Sequence, residues 1–189
     1  LPHAQRVTVE MGKRARRAHD MGRIHEDGLF EATLPRGGDF NYALVMIDEA
    51  GRSVRLRDPY AFTQPRFTQA DEDLFVGGRH ASLFDKLGAH RISYGKTTGV
   101  AFAVWAPHAQ RVSVVGTFNG WDGRYHPMRR LTASGIWDLF IPGVEEGGLY
   151  KFEIKTHQGA VFLKADPFAF QSEAPPLGAS IVPGLDWSR

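Results

Sequence analysis

Trp121 and Asn119 stand two residues apart in GTFNGWDG (116–123), a loop bounded by glycines, and Lys151 lies further on in LYKFEIK. Sugars present apolar C–H faces and many hydroxyls. A flat indole beside an amide, with an ammonium to meet a hydroxyl, is therefore a combination that recognises carbohydrate. The competing reading of Trp121 is packing, either under its own loop or against a neighbouring domain, because partly buried tryptophan is common.

Other chemistries find less support. Asp71, Glu72 and Asp73 are adjacent, and Glu145 and Glu146 precede a Gly-Gly turn; both groups read as solvated ends rather than as convergent acid/base pairs. Asp58 and Asp166 each precede proline at equivalent places of a repeat, which points to a turn or strand-end role. The eight histidines lack metal-ligand spacing and there is no cysteine, so neither a metal nor a thiolate site is expected. The glycine pairs sit in turns rather than between a strand and a helix, which argues against a phosphate loop and against a nucleotide cofactor.

The elements that must position Trp121, Asn119 and Lys151 emerge from an internal duplication. PHAQRVTVE (2–10) returns as PHAQRVSVV (107–115), identical at seven of nine positions, and DPYAF (58–62) returns as DPFAF (166–170). GLFEATLP aligns with GIWDLFIP, and YALVMIDEAG with YKFEIKTHQG, in the same order. Within these segments Val7 and Val9, and likewise Val112 and Val114, alternate with polar residues at the period of a strand. DEAG and THQG end in glycine, which supplies the positive φ that short hairpin loops need.

Short strands with regular turn signals predict an all-β chain of two tandem immunoglobulin-like antiparallel β-sandwiches. The expected divisions are a truncated first sandwich at 1–62, a linker with short helices at 63–97, a second sandwich at 98–183, and the start of a further linker at 184–189. In the linker Ser82 is a candidate helix cap ahead of Leu83, Phe84 and Leu87, and the helix is expected to lie between the two sandwiches. Ala43, Val45 and Ile47 replace the outward Lys151, Glu153 and Lys155 of the other repeat, so the first unit is expected to have one outer face covered by the linker or a neighbouring domain. Trp105, Trp137 and Phe118 are assigned to the core. Phe140 has outward parity beside Asp138, which suits either an interface or a sugar contact.

Bulk properties narrow the class. The formal charge is only +2, and the one basic cluster, Lys13, Arg14, Arg16 and Arg17, has no interleaved aromatic residues, so no nucleic-acid partner is expected. The sequence has no apolar run of membrane-spanning length and no signal-peptide pattern. No membrane partner is expected, and the absence of cysteine suits a cytoplasmic setting.

VVGTFNGWDGRYHPM, followed by SGIWDLFIPG, LYKFEIK and KADPFAF, closely resembles the carbohydrate-binding-type domain that precedes the barrel in branching enzymes of the amylase superfamily. LFDKLGAH and FAVWAPHAQRVSVVG resemble the segment joining the two front domains of those enzymes, so the resemblance covers nearly the whole chain. It implies a parent 1,4-α-glucan branching enzyme of glycogen biosynthesis. In that family two front domains stand before a β/α barrel that cleaves an α-1,4 bond and rejoins the glucan through an α-1,6 link.

The chain stops at Arg189, where the resemblance would start the barrel. Retaining glycoside chemistry needs two carboxylates about 5 Å apart, and the family draws both from barrel segments. No catalytic residue is therefore expected here, and the chain alone is expected to be inactive. In kinase-subunit members of the same module family, the tryptophan of FNxW and the lysine of YKF contact glucan; these match Trp121 and Lys151. A second stacking tryptophan of those members falls at about Leu163, which is aliphatic. The expected partners are glycogen or malto-oligosaccharide and the parent's own barrel. The alternative is a stand-alone glucan-binding or regulatory module.

Overall fold

A computed structural model describes residues 1–12, 17–34, 42–63, 66–131 and 134–184. The residues Lys13, Arg14 and Arg16 of the basic cluster and the segment 185–189 lie outside them. The chain is all-β with antiparallel sheets, and it divides into two compact units, Leu1–Ala61 and Phe62–Arg189.

In the first unit β1 (Ala4–Met11), β2 (Arg17–His25), β3 (Leu29–Glu31), β4 (Tyr42–Asp48) and β5 (Ser53–Leu56) form one sheet in the order β3-β2-β1-β4-β5. Val7 stands between Met21 and Met46 in register, and these residues build an apolar face with Ala4, Leu44, Leu56 and Phe30. The opposite face is polar: Arg6 and Thr8 both bond Asp20, and Arg55 pairs with Glu10. Val45 lies in register between Thr8 and Arg55, and Ile47 lies opposite Arg6. Both are half-buried. The long stems of their charged neighbours accompany this partial cover.

The second unit is a two-layer sandwich. One sheet runs β6 (Gly88–Tyr94), β7 (Thr97–Trp105), β10 (Ile136–Pro142), β9 (Arg129–Arg130). In the other, β11 (Leu149–Thr156) is central; β8 (Ala109–Gly116) pairs along one edge, β12 (Val161–Lys164) and β14 (Ser180–Ile181) along the other, with β13 (Gln171–Ser172) beyond β14. Val100, Phe102 and Val104 face Val112, Val114, Tyr150 and Phe152 across a shared core that also buries Trp137 and Leu139. Burying a side chain of this size stabilises the fold by about 1.5–3 kcal/mol. β6 falls inside the segment expected as linker; its start, Gly88–Ala89, offers little side chain for a period-two pattern.

Described residues of the stretch 62–87 cover the outer face of the β6-β7-β10-β9 sheet. Phe67, Phe75, Leu83 and Leu87 pack with Ala103 and Ile136, while Phe62 and Tyr94 each bring a ring centroid 4.8 Å from that of Phe140. Phe140 is therefore buried in an interface with the covering layer and is not open to a sugar. Its parity is outward, but a second layer lies over it.

Helix α1 (Gln69–Val76) starts at Thr68, whose hydroxyl oxygen accepts from the Asp71 amide while Asp71 accepts from the Thr68 amide. Such a reciprocal cap stabilises a helix start by about 1 kcal/mol. Ser82 makes no side-chain cap, and the residues after it form a single 3₁₀ turn, Leu83–Asp85. Asp71 and Glu72 are buried rather than solvated. Burial alone would raise the Asp71 pKa, but bonds from Thr68, Lys86 and His80 outweigh it and hold the carboxyl below the ordinary range. Glu72 accepts from the Ser134 hydroxyl at 3.0 Å.

The two hairpins with glycine-ended loops form as their sequences imply. Gly51 and Gly159 take φ of 76° and 88°, and each donates its N–H to the carbonyl three residues earlier, on Asp48 and Thr156.

Candidate carbohydrate-binding site

β8 ends at Gly116 and leads into a 3₁₀ turn, Thr117–Asn119, then Gly120 and Trp121. Trp121 holds φ of 63°, the one positive value on a non-glycine residue among those described. The left-handed region costs an L-residue of order 1 kcal/mol, and persists only where the surroundings over-determine it. Here they do. The Trp121 N–H donates to the Gly116 carbonyl at 3.0 Å, and 38% of the residue remains exposed.

Asn119 supplies much of that constraint. Its Oδ1 accepts the Gly116 N–H at 2.9 Å, and its amide hydrogens go to the Val114 carbonyl at 2.9 Å and to Nδ1 of His126 at 2.8 Å. Both donors are used inside the loop. The amide thus positions the loop through both of its donors and one acceptor position of Oδ1. His126 accepts through Nδ1 and so carries its proton on Nε2; burial pushes its pKa down to about 4 and keeps it neutral.

The rest of the loop runs over Glu153 at Gly123 and then along the free edge of β8 at 126–128. Ser113 forms a bridge with Pro127, and the Val114 N–H donates to the His126 carbonyl, so Ser113 and Val115 are buried although their parity is outward. Gly123 comes directly over Glu153: a β-carbon there would stand 2.2 Å from a carboxylate oxygen. Glu153 is held in place by Arg111 at 2.6 Å.

Lys151 and Glu153 share the outward parity of β11, and Leu163 sits opposite Glu153 on β12, 54% exposed. The Lys151 ammonium donates to the Leu177 carbonyl at 3.1 Å, using one of its three donors. Leu177 itself is 66% exposed. One face thus carries part of the Trp121 loop, through Gly123 over Glu153, together with Lys151, Leu163 and Leu177: an ammonium and aliphatic surface. Arg111, His126, Gly123 and Leu177 have no local sequence signal, because each matters only through a residue distant in the chain.

Asp58 accepts from the Tyr42 hydroxyl and Asp166 from the Tyr150 hydroxyl, both at 2.6 Å. The buried Asp138 is paired with Arg129 at 3.2 Å. Trp137 is buried, but Trp105 is exposed, contrary to its assignment to the core. Among the described residues no group of three or more His, Asp or Glu is arranged to hold a metal ion. No described helix is long and apolar enough to cross a membrane.

The second unit's antiparallel sandwich is of the carbohydrate-binding-module class by sequence: residues 86–169 match carbohydrate-binding module 48, the isoamylase N-terminal domain. Residues 1–60 match the N-terminal domain of alpha-1,4-glucan branching enzyme GlgB. Over nearly its whole length the chain is similar to the N-terminal region of the 1,4-alpha-glucan branching enzymes. It is 45% identical to that enzyme of Thermosynechococcus vestitus over 98% of this chain and 24% of the relative. It is 47% identical to that of Rhodospirillum rubrum over 87% and 22%, and 48% identical to that of Myxococcus xanthus over 95% and 24%. The chain therefore spans about a quarter of the length of these curated relatives.

Proposed function

We propose that this chain is the non-catalytic front of a 1,4-α-glucan branching enzyme acting in cytoplasmic glycogen synthesis, and that its second unit holds α-glucan on the face bearing Trp121 and Lys151. The observation that carries this reading is the partly exposed, left-handed Trp121 in a loop whose Gly123 lies over Glu153, on the outward face that also carries Lys151, within the segment that matches a carbohydrate-binding module. Trp121 stacks on a glucose ring, Lys151 meets a hydroxyl, and Leu163 and Leu177 supply aliphatic contact. Asn119 keeps the loop in shape.

We read both units as immunoglobulin-like. The first, at 1–62, acts as scaffold; it has MGKRARRAHDM where the second has the FNGW loop. The connector at 63–97 lends its last strand to the second domain, which runs to 183, and the catalytic barrel of the parent chain is the partner of both. The greater length of the relatives supports this over a stand-alone regulatory module.

Titration with maltoheptaose tests the site. Trp121→Ala should weaken binding at least about tenfold, the worth of one lost aromatic contact; equal binding by wild type and variant would exclude Trp121 as the platform. Incubation with amylose should yield no α-1,6 branches, and robust branching by this chain would overturn its non-catalytic role.

A further inference from the structure

Trp105 ends β7 with its side chain on the outer face of the β6-β7-β10-β9 sheet, the side of the sandwich away from Lys151 and the Trp121 loop. Its indole N–H donates to the Ser134 carbonyl at 2.9 Å, and Phe75 of α1 meets the ring in a T-shaped contact with centroids 5.9 Å apart. Ser134 is itself held through its hydroxyl by the buried Glu72. The ring is thus fixed in orientation and its one donor is spent on the backbone, yet 53% of the residue is exposed.

That combination is specific in what it suits. A core tryptophan would be covered, and one that hydrogen-bonds a ligand would keep its N–H available. A pre-oriented bare indole offers only its apolar surface, which matches the C–H face of a pyranose, and its fixed rotamer removes an ordering cost from binding. Val76, one helical turn after Glu72, extends the exposed apolar surface of α1. Trp105 and Ser134 both fall within the carbohydrate-binding-module match.

We propose that Trp105 is a second stacking platform for α-1,4-linked glucose units, on the outer face opposite Trp121. This rests on the glucan reading of the module but not on the Trp121 site. Packed sheets lie about 10 Å apart, and a side-chain layer on each side puts the two platforms about 20 Å from each other. Maltotriose is too short to bridge that distance, so each platform binds it separately.

The test is a maltotriose titration of the ¹⁵N-labelled chain, following the indole N–H signals of Trp105 and Trp121, each assigned by a Trp→Leu variant. Both signals are expected to shift with independent saturation curves. Trp105→Leu should abolish the first response and leave the Trp121 curve unchanged; the buried Trp137 signal reports that the variant stays folded. If Trp105 stays still while Trp121 saturates, the second platform is overturned and the first site stands. If only Trp105 responds, the second platform stands and the Trp121 reading fails. Silence from both defeats both, and a Trp105 shift that follows protein concentration without sugar assigns the ring to self-association and overturns the proposal.

Discussion

The Tyr150 hydroxyl donates to Asp166 at 2.6 Å, and the equivalent pair of the first repeat, Tyr42 and Asp58, makes the same bond at the same distance. In each pair the other carboxylate oxygen accepts a backbone N–H two residues on, from Phe168 or Tyr60. A strand is thereby tied to the corner that follows its hairpin. The second copy is buried and the first is half-buried, so burial pushes the Tyr150 hydroxyl far up in pKa, reinforced by the Asp166 charge.

Tyr150→Phe leaves the Asp166 carboxylate buried with one donor fewer, and an unmet buried acceptor costs about 1–3 kcal/mol. Tyr42→Phe leaves water to replace the donor and should cost less than about 1 kcal/mol. Urea unfolding of each variant measures the difference; equal losses would mean that burial does not set the worth of this bond.

His126 links the loop to pH. Its folded pKa of about 4 lies below the unfolded value of 6.5, so its contribution is complete above about pH 6.5 and declines as pH falls towards 4. At about 1.36 kcal/mol per pKa unit, the loss amounts to roughly 3 kcal/mol. His126→Phe should flatten this part of the stability profile relative to wild type while lowering stability at pH 7, because Asn119 loses an acceptor. Urea midpoints taken between pH 7 and pH 4 provide the comparison.

Gly123→Ala forces a β-carbon against Glu153, whose carboxylate Arg111 pins. With the carboxylate held by Arg111 the loop is expected to lift, at a cost of up to about 1–3 kcal/mol, and Trp121 to move with it. Maltoheptaose affinity should fall by about tenfold in the single variant and recover in Gly123→Ala/Glu153→Ala. Additive losses in that double-mutant cycle would deny the steric coupling.

Phe140→Ala removes a ring that touches both Phe62 and Tyr94 and should cost about 3–5 kcal/mol. Phe162→Ala, on the exposed strand β12, should cost less than about 1 kcal/mol. Thermal or chemical unfolding of the two variants compares them directly, and a mild Phe140 variant would mean that the covering segment detaches at little expense.

Local pattern was sufficient wherever the deciding interaction is local. Val7, Val9, Val112 and Val114 alternate because a strand has two faces, and Gly51 and Gly159 mark hairpins because few other residues tolerate their φ. The repeat made the two copies of each strand recognisable, and the FNGW and YKF motifs pointed to Trp121 and Lys151. Parity, however, distinguishes faces without saying which of them is covered. Phe140 and Trp105 both point outward from the same sheet; described residues of the stretch 62–87 bury one and leave the other open.

The sequence by itself determined the all-β class, the duplication and the residue types available for sugar contact, since these depend on backbone period, turn conformations and side-chain chemistry. Only the tertiary structure decided that Asn119 turns inward, that Gly123 seats the loop on Glu153, that Asp71 and Glu72 are internal, and that Leu177 stands beside Lys151. Each of these depends on which distant segment a side chain meets, and pairwise fit across the fold is not written in any one segment.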